Sequence, residues 1–125
     1  MNKAIKTKNQ ISKALIELLN NKPLDLITIK ELAKKAEISR TAFYNNFNNL
    51  DDVLKYIYQR AHKQIFKEKY SQLEYVHSDE HILDMISFFD KNSKLLLVLI
   101  KWNLIELIAK YNTENAEIYN RNADE

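Results

Sequence analysis

The sequence predicts an all-α fold, and three observations carry that expectation. Its 125 residues include no Gly and a single Pro, so the tight glycine turns that join β-strands have no residue to make them. Apolar residues recur at i, i+3, i+4 and i+7 along most of the chain, which is the period of an α-helix. Short polar residues that cap helices stand just ahead of several of these runs. With 46% apolar and 10% aromatic residues the chain can fill a real core. Its length suits one domain, or a small module with an extension.

The first helix is expected from about Thr7 to Asn20, where Ile11, Ala14, Leu15, Leu18 and Leu19 form one apolar stripe. Pro23 breaks that pattern within a polar connector, and Leu24, Leu26 and Ile27 are expected to tuck beneath the helices. Thr28-Ile29-Lys30-Glu31 has the form of a capping box: the Thr28 hydroxyl accepts from the Glu31 amide and the Glu31 carboxylate reaches back. The next helix is short, with Ile29, Leu32, Ala33 and Ala36 on its inner face. A turn at Glu37-Ile38 leads to Ser39, a good N-cap for a second short helix, Arg40 to Asn46. Asn48 and Asn49 close that helix, and Asn49 can cap the next.

A long helix should start at Leu50, with Asp51 and Asp52 at its positive end. Its apolar face of Val53, Leu54, Ile57, Ala61, Ile65 and Phe66 carries it to about Tyr70. A weaker segment, Ser71 to Asp79, should contain a bend. Two further helices are expected, about Glu80–Lys91 and Ser93–Tyr111, and then a polar tail from Asn112.

Composition excludes whole classes of chemistry. Without Gly there is no P-loop, dinucleotide fingerprint or nucleophile elbow. Without Cys there is no disulfide, thiolate zinc site or cysteine nucleophile. His77 and His81 share a helix face but lack a zincin Glu and a third ligand, so a solvated turn is the better reading. Asp51-Asp52 is explained by helix-start electrostatics. No nucleophile has a plausible base, so neither enzyme activity nor a cofactor is expected. The apolar run Leu95–Ala109 is shorter than the roughly 20 residues a membrane span needs, and Lys101, Asn103 and Glu106 interrupt it. The N-terminus lacks the apolar core of a signal peptide, so a cytoplasmic protein with no membrane association is expected.

The net charge of +2 hides an asymmetry. Residues 1–69 hold 14 basic and 7 acidic side chains, whereas residues 70–125 hold 5 and 10. The first part suits a polyanion and the second does not. Two short helices joined by a tight turn form a helix-turn-helix pattern. Leu32, Ala33, Ala36, Ile38, Phe43 and Phe47 point inward, with Ala33 small at the crossing and Ile38 plugging the turn into the core. That leaves Arg40, Thr41, Tyr44, Asn45 and Asn46 on the outer face, as donors for phosphates and base edges.

At Thr28–Phe47 the small, apolar, aromatic and capping positions fall in an order that resembles the DNA-binding motif of the TetR family of bacterial transcriptional regulators. The similarity extends through the preceding helix and Asp51-Asp52-Val53-Leu54, about Lys3 to Ile65 in all. The resemblance implies phosphate contacts from Thr28, Lys30, Ser39 and Tyr44. It implies base contacts from Arg40, Thr41 and Asn45, with Ala42 against a thymine methyl. Phe43 and Phe47 would be core. Basic groups nearby, Lys6, Lys8, Lys30, Lys34 and Lys35, would add phosphate attraction. Two positions depart from the family pattern. Glu37 stands where a turn Gly is usual, at a cost of about 1 kcal/mol if φ is positive. Leu50 stands where a Lys commonly meets phosphate, so one backbone contact is lost.

The expected architecture is therefore a three-helix helix-turn-helix DNA-binding domain, 3–65 with its motif at 28–47, joined by the long fourth helix to a small helical region, 66–125. The family uses that second region for dimerisation and an effector pocket. About 55 residues come after the fourth helix here, fewer than a full ligand domain, so the region is expected to be reduced or truncated. Leu95–Ile108 is apolar around most of its circumference, which favours a homodimer over burial against Ile82, Met85, Ile86, Phe88 and Phe89 within one chain. Tyr58, Phe66, Tyr70, Leu73, Phe88, Phe89 and Trp102 are candidates to line a small-molecule effector pocket. The function implied is a repressor that binds a near-palindromic operator in double-stranded DNA as a homodimer and is released by a small-molecule effector. Two alternatives fit the same residues: a protein–protein adaptor that keeps the fold, and a small-molecule-binding protein with weak DNA affinity.

Overall fold

The computed structural model describes residues 2–67, 69 and 73–110. All regular secondary structure among them is helical. The chain forms two compact units that divide between Ile57 and Tyr58. The first holds α1 (Lys3–Leu19), a 3-10 turn (Leu24–Leu26), α2 (Ile29–Ala36), α3 (Arg40–Tyr44) and the start of α4 (Leu50–Phe66). The second holds the rest of α4 with α5 (Leu73–Val76), α6 (Asp79–Lys91) and α7 (Ser93–Lys101).

α1 begins earlier than its apolar stripe requires because Asn2 caps it, the Asn2 Oδ1 accepting from the Ala4 amide at 2.7 Å. Ile11, Ala14, Leu15 and Leu19 are buried on the side that packs against α2. Leu32, Ala33 and Ala36 answer from α2, and each large side chain so buried stabilises the unit by roughly 1.5–3 kcal/mol. In the connector Leu24 and Ile27 are buried, but Leu26 is 64% exposed. The 3-10 turn explains the difference, since it sends successive side chains to different sides and only two can face inward.

The expected cap at Thr28 is half realised. Its hydroxyl accepts from the Glu31 amide at 3.1 Å. The Glu31 carboxylate turns instead to Lys22, whose Nζ lies 2.6 Å from each carboxylate oxygen. Only Oε2 accepts an aligned hydrogen bond; Oε1 is held by charge alone. α2 then stops at a left-handed residue, Glu37, with φ 60° and ψ 42°. The Glu37 amide donates to the Lys34 carbonyl at 3.2 Å and the Ile38 amide to the Ala33 carbonyl at 3.0 Å, which is the Schellman pattern with Glu in the glycine place. Ile38 is half-buried there.

Ser39 caps α3 through the Ala42 amide at 3.0 Å. α3 is shorter than expected, ending at Tyr44 rather than Asn46, because Asn45 caps its C-terminus and the Asn46 side-chain amide donates to the Ala42 carbonyl at 2.8 Å. Asn49 caps α4 as its position suggests, accepting from the Asp52 amide at 2.9 Å, while Asp52 accepts in return from the Asn48 amide at 3.2 Å. α4 ends at Phe66 and not near Tyr70, since Lys67 takes φ 51°.

In the second unit α5 packs on α6 and α6 on α7. The expected helix from Ser93 to Tyr111 is interrupted. It stops at Lys101, with Asn103 at φ 58°, the Leu104 amide bonded to the Leu99 carbonyl at 2.7 Å and the Asn103 amide to Ile100 at 3.2 Å. This is a second Schellman stop, seated on Asn, the non-glycine residue that best tolerates the left-handed region. Helical structure resumes at residues 105–110, and Tyr111 and the expected tail lie outside the described residues. α6 shows an inverted pattern: Phe88 is buried, whereas Ile82, Leu83, Met85, Ile86 and Phe89 are exposed on one continuous face. Of the five, only Phe88 is buried, and it packs against Tyr58, His62 and Phe66 of α4, whereas Leu95, Val98, Leu99 and Ile108 of the apolar run are buried within the one chain.

Glu37→Gly is expected to raise stability by about 1 kcal/mol, since it removes the Cβ clash of a left-handed residue without touching the core. Urea denaturation checks this; an unchanged or lower midpoint would show that Glu37 makes a compensating contact.

Candidate nucleic-acid interface

The residues read as DNA contacts occupy the ends and outer sides of α2 and α3. Thr28, Lys30, Ser39, Arg40, Thr41, Tyr44 and Asn45 are all exposed, and Ala42 is half-buried. Thr28 and Ser39 each use an oxygen lone pair to cap a helix, which leaves the hydroxyl proton available to a phosphate oxygen. Among the described residues the side chains of Lys30, Arg40, Thr41 and Asn45 make no hydrogen bond or ion pair, so their donors face solvent unused. Asn46 departs from the outer-face reading, because its amide is spent on the Ala42 carbonyl.

Around α2, Thr28, Lys30, Glu31, Lys34 and Lys35 line one shallow concavity. Glu31 is paired with Lys22 and Lys35 lies 3.5 Å from Glu17, a weak exposed pair. Lys30 and Lys34 therefore carry the uncompensated positive charge of this surface. Lys8, grouped with them by sequence, sits elsewhere. Its Nζ lies over the rings of Tyr56 and Phe47, at 5.4 and 5.9 Å from their centroids.

Tyr44 is 56% exposed and meets Phe43 edge-on at 5.4 Å. Phe43 is fully buried and Phe47 nearly so, as core residues should be. The exposed tyrosine thus stands on an aromatic base set in the core.

In the second unit the candidate effector residues separate. Tyr58, Phe66 and Phe88 come together around His62, with ring centroids 4.5 to 5.9 Å apart. Phe89 joins only at its edge of Phe88 and is exposed, Leu73 is 74% exposed, and Trp102 is half-buried with the Lys101 ammonium 4.9 Å from its ring. Tyr70 lies outside the described residues. Burial among the rings pushes the His62 imidazole below its usual 6.5. His81, paired by sequence with His77, instead places Nδ1 3.1 Å from the Val76 carbonyl and its ring against Tyr75.

Two curated proteins are similar to this chain. One is the HTH-type dhaKLM operon transcriptional activator DhaS of Lactococcus lactis subsp. lactis (strain IL1403), 25% identical over 119 residues, which cover 86% of this chain and 63% of that protein. The other is the uncharacterized HTH-type transcriptional regulator YxbF of Bacillus subtilis (strain 168), 31% identical over 72 residues, 54% of this chain and 19% of that protein. Both are named as HTH-type regulators of transcription. The chain spans less than two thirds of the length of either relative. No family model matches it, and no solved structure does. Among the described residues no helix is long and apolar enough to cross a membrane.

Sequence reasoning missed two arrangements. The contact of Lys8 with Tyr56 and Phe47 joins residues 39 to 48 positions apart, and no local pattern announces it. Lys69, Glu80, Asp84 and Tyr75 form a polar cluster: Lys69 Nζ lies 2.7 Å from Glu80 and 3.2 Å from Asp84, and the Tyr75 hydroxyl donates to Asp84 at 2.6 Å. That hydrogen bond, with the Lys69 ammonium second, holds the Asp84 carboxyl below the usual carboxylate range.

Because His62 is lowered, the unfolded chain takes up this proton first as pH falls below about 6.5. Stability from this group is complete above that value and declines below it. Urea midpoints at roughly pH 7.5 and 5.5 should therefore differ in that direction, and His62→Phe should flatten the decline. An equal decline in the variant would assign it to other groups.

Proposed function

We propose that this chain is a sequence-specific transcription regulator of the TetR type, with a DNA-binding region over 3–65 that inserts α3 into the major groove. The observation that carries the reading is the set of exposed, unpaired donors on a short helix whose opposite side is locked in the core. Arg40, Thr41 and Asn45 are the base readers, with Ala42 beside them against a thymine methyl. Thr28, Lys30, Ser39 and Tyr44 fix register on the phosphates. The names of the two relatives support the same class of function.

A single module of this kind covers one half-site, and two-fold operators call for two copies. The exposed face of α6 supports a homodimer formed by the second region, since a stable interface needs on the order of 800 Å² per partner and an apolar centre. Repression results from occupying a promoter. DhaS is named an activator, so the sign depends on where the operator lies, and a reporter carrying the recovered site scores it. An effector would act by parting the packed rings of Tyr58, Phe66 and Phe88, which a ligand-dependent rise in melting temperature would reveal.

The test is selection from a pool of random duplex DNA at two salt concentrations, with sequencing of the retained fraction. A palindrome should be enriched, and its binding should weaken steeply with salt. Arg40→Ala should cost about 1–3 kcal/mol on that duplex and relax preference at one position, whereas Lys30→Ala should weaken all duplexes alike. Retention of no DNA at the lower salt would turn the reading to the adaptor. For the dimer, Ile86→Glu with Phe89→Glu should yield a folded monomer by sedimentation; a wild-type chain that is already monomeric at micromolar concentration would remove the α6 interface.

A further inference from the structure

Lys8 belongs by sequence to the basic groups that attract phosphate, yet its ammonium is engaged within the first unit. It sits 5.4 Å from the Tyr56 centroid and 5.9 Å from that of Phe47, and those two rings meet edge to face at 5.5 Å. The ring quadrupoles attract a cation held there, and Lys8 is half-buried as that position requires. From Phe47 the contacts continue. Phe47 lies 6.0 Å from Phe43, and Phe43 meets Tyr44 at 5.4 Å. Four rings therefore run in an unbroken line from α4, through the loop, to the exposed tyrosine of α3. Lys8 grips the far end of that line from α1.

We propose that Lys8 is a positioning residue of the DNA interface: it holds Tyr56 and Phe47 together and so sets Tyr44, and it does not itself contact phosphate. The proposal rests on the DNA-binding reading for its consequence, though the clasp is testable without DNA. α3 has only five residues, too few to hold its own place, so the packing beneath it decides where Tyr44 stands. Removing one cation from a pair of rings leaves the core residues in place and loosens only the line they support.

The experiment compares the full chain with Lys8→Met, which keeps length and loses charge, and with Lys8→Arg, which keeps a cation over the rings. In the free protein, ring currents should shift the Lys8 ε-methylene protons upfield, and Lys8→Met should move the Tyr44 ring signals. With the selected duplex, Lys8→Met should weaken binding roughly threefold at an unchanged salt slope, and Lys8→Arg should restore it. A slope reduced by about 0.9, with equal loss on selected and random-sequence duplexes, would make Lys8 a phosphate contact and overturn the proposal. An unshifted Lys8 signal, or Tyr44 signals and affinity unmoved by Lys8→Met, would overturn it too. Should Lys8→Met fail to fold, the wild-type shift and Tyr56→Leu, which should reduce it, still decide the matter. A wild-type chain that binds neither duplex sinks the DNA-binding reading instead, with the spectra of the free chain still ruling on the clasp.

Discussion

A helix of five residues cannot hold itself in water, because nucleating a turn fixes several dihedral angles for one hydrogen bond. α3 has that length, and every function assigned to its outer side depends on what is fastened to its inner side. Phe43, at 0% exposure, is the fastening. Phe47 extends it into the loop, and the Ser39 hydroxyl accepts from the Ala42 amide at its start. With Phe43 buried and Arg40, Thr41 and Tyr44 exposed, α3 is a platform for side chains. α2 packs against α3, and α1 reaches Phe47 through Lys8.

The same chain must end its helices without glycine. Glu37, Lys67 and Asn103 all adopt positive φ, at 60°, 51° and 58°. Each comes just after a helix whose last carbonyls need donors, and at Glu37 and Asn103 the two Schellman bonds supply them. A left-handed non-glycine residue costs on the order of 1–2 kcal/mol. At Glu37 the turn itself offsets that cost, because it delivers Ile38 toward the core and Ser39 to its capping position three residues before Ala42.

Much of the first unit was legible because its signals are local. Thr28, Ser39 and Asn49 are short polar residues standing one place before the first residue of a helix, and all three cap. The exposure of Arg40, Thr41 and Asn45 comes from placing Phe43 inward and counting round the helix. What the sequence hid was non-local or competitive. Glu31 was drawn to Lys22 and away from the Thr28 amide, a choice between two acceptable partners that spacing does not decide. Lys8 looked like any exposed lysine because Tyr56 is 48 residues away. In the second unit the apolar run Leu95–Ile100 looked continuous with Ile105 and Ile108, and Asn103 read as an interruption of hydrophobicity when it was a helix stop. Apolar content alone also hid which side of α6 faces in, since Phe88 and Phe89 differ only by their place on the turn.

That inversion of α6 changes what is meant by the stability of the second unit. A helix with Ile82, Leu83, Ile86 and Phe89 turned to water is stabilised by anything that covers them, and mass action couples the folded fraction to the amount of cover present. Where that cover is the second copy proposed above, its unfolding midpoint is a curve against protein concentration rather than a constant. In such a dimer dilution would act as a denaturant does, and the copy number of the chain would be one of the terms that decides how much of it is folded.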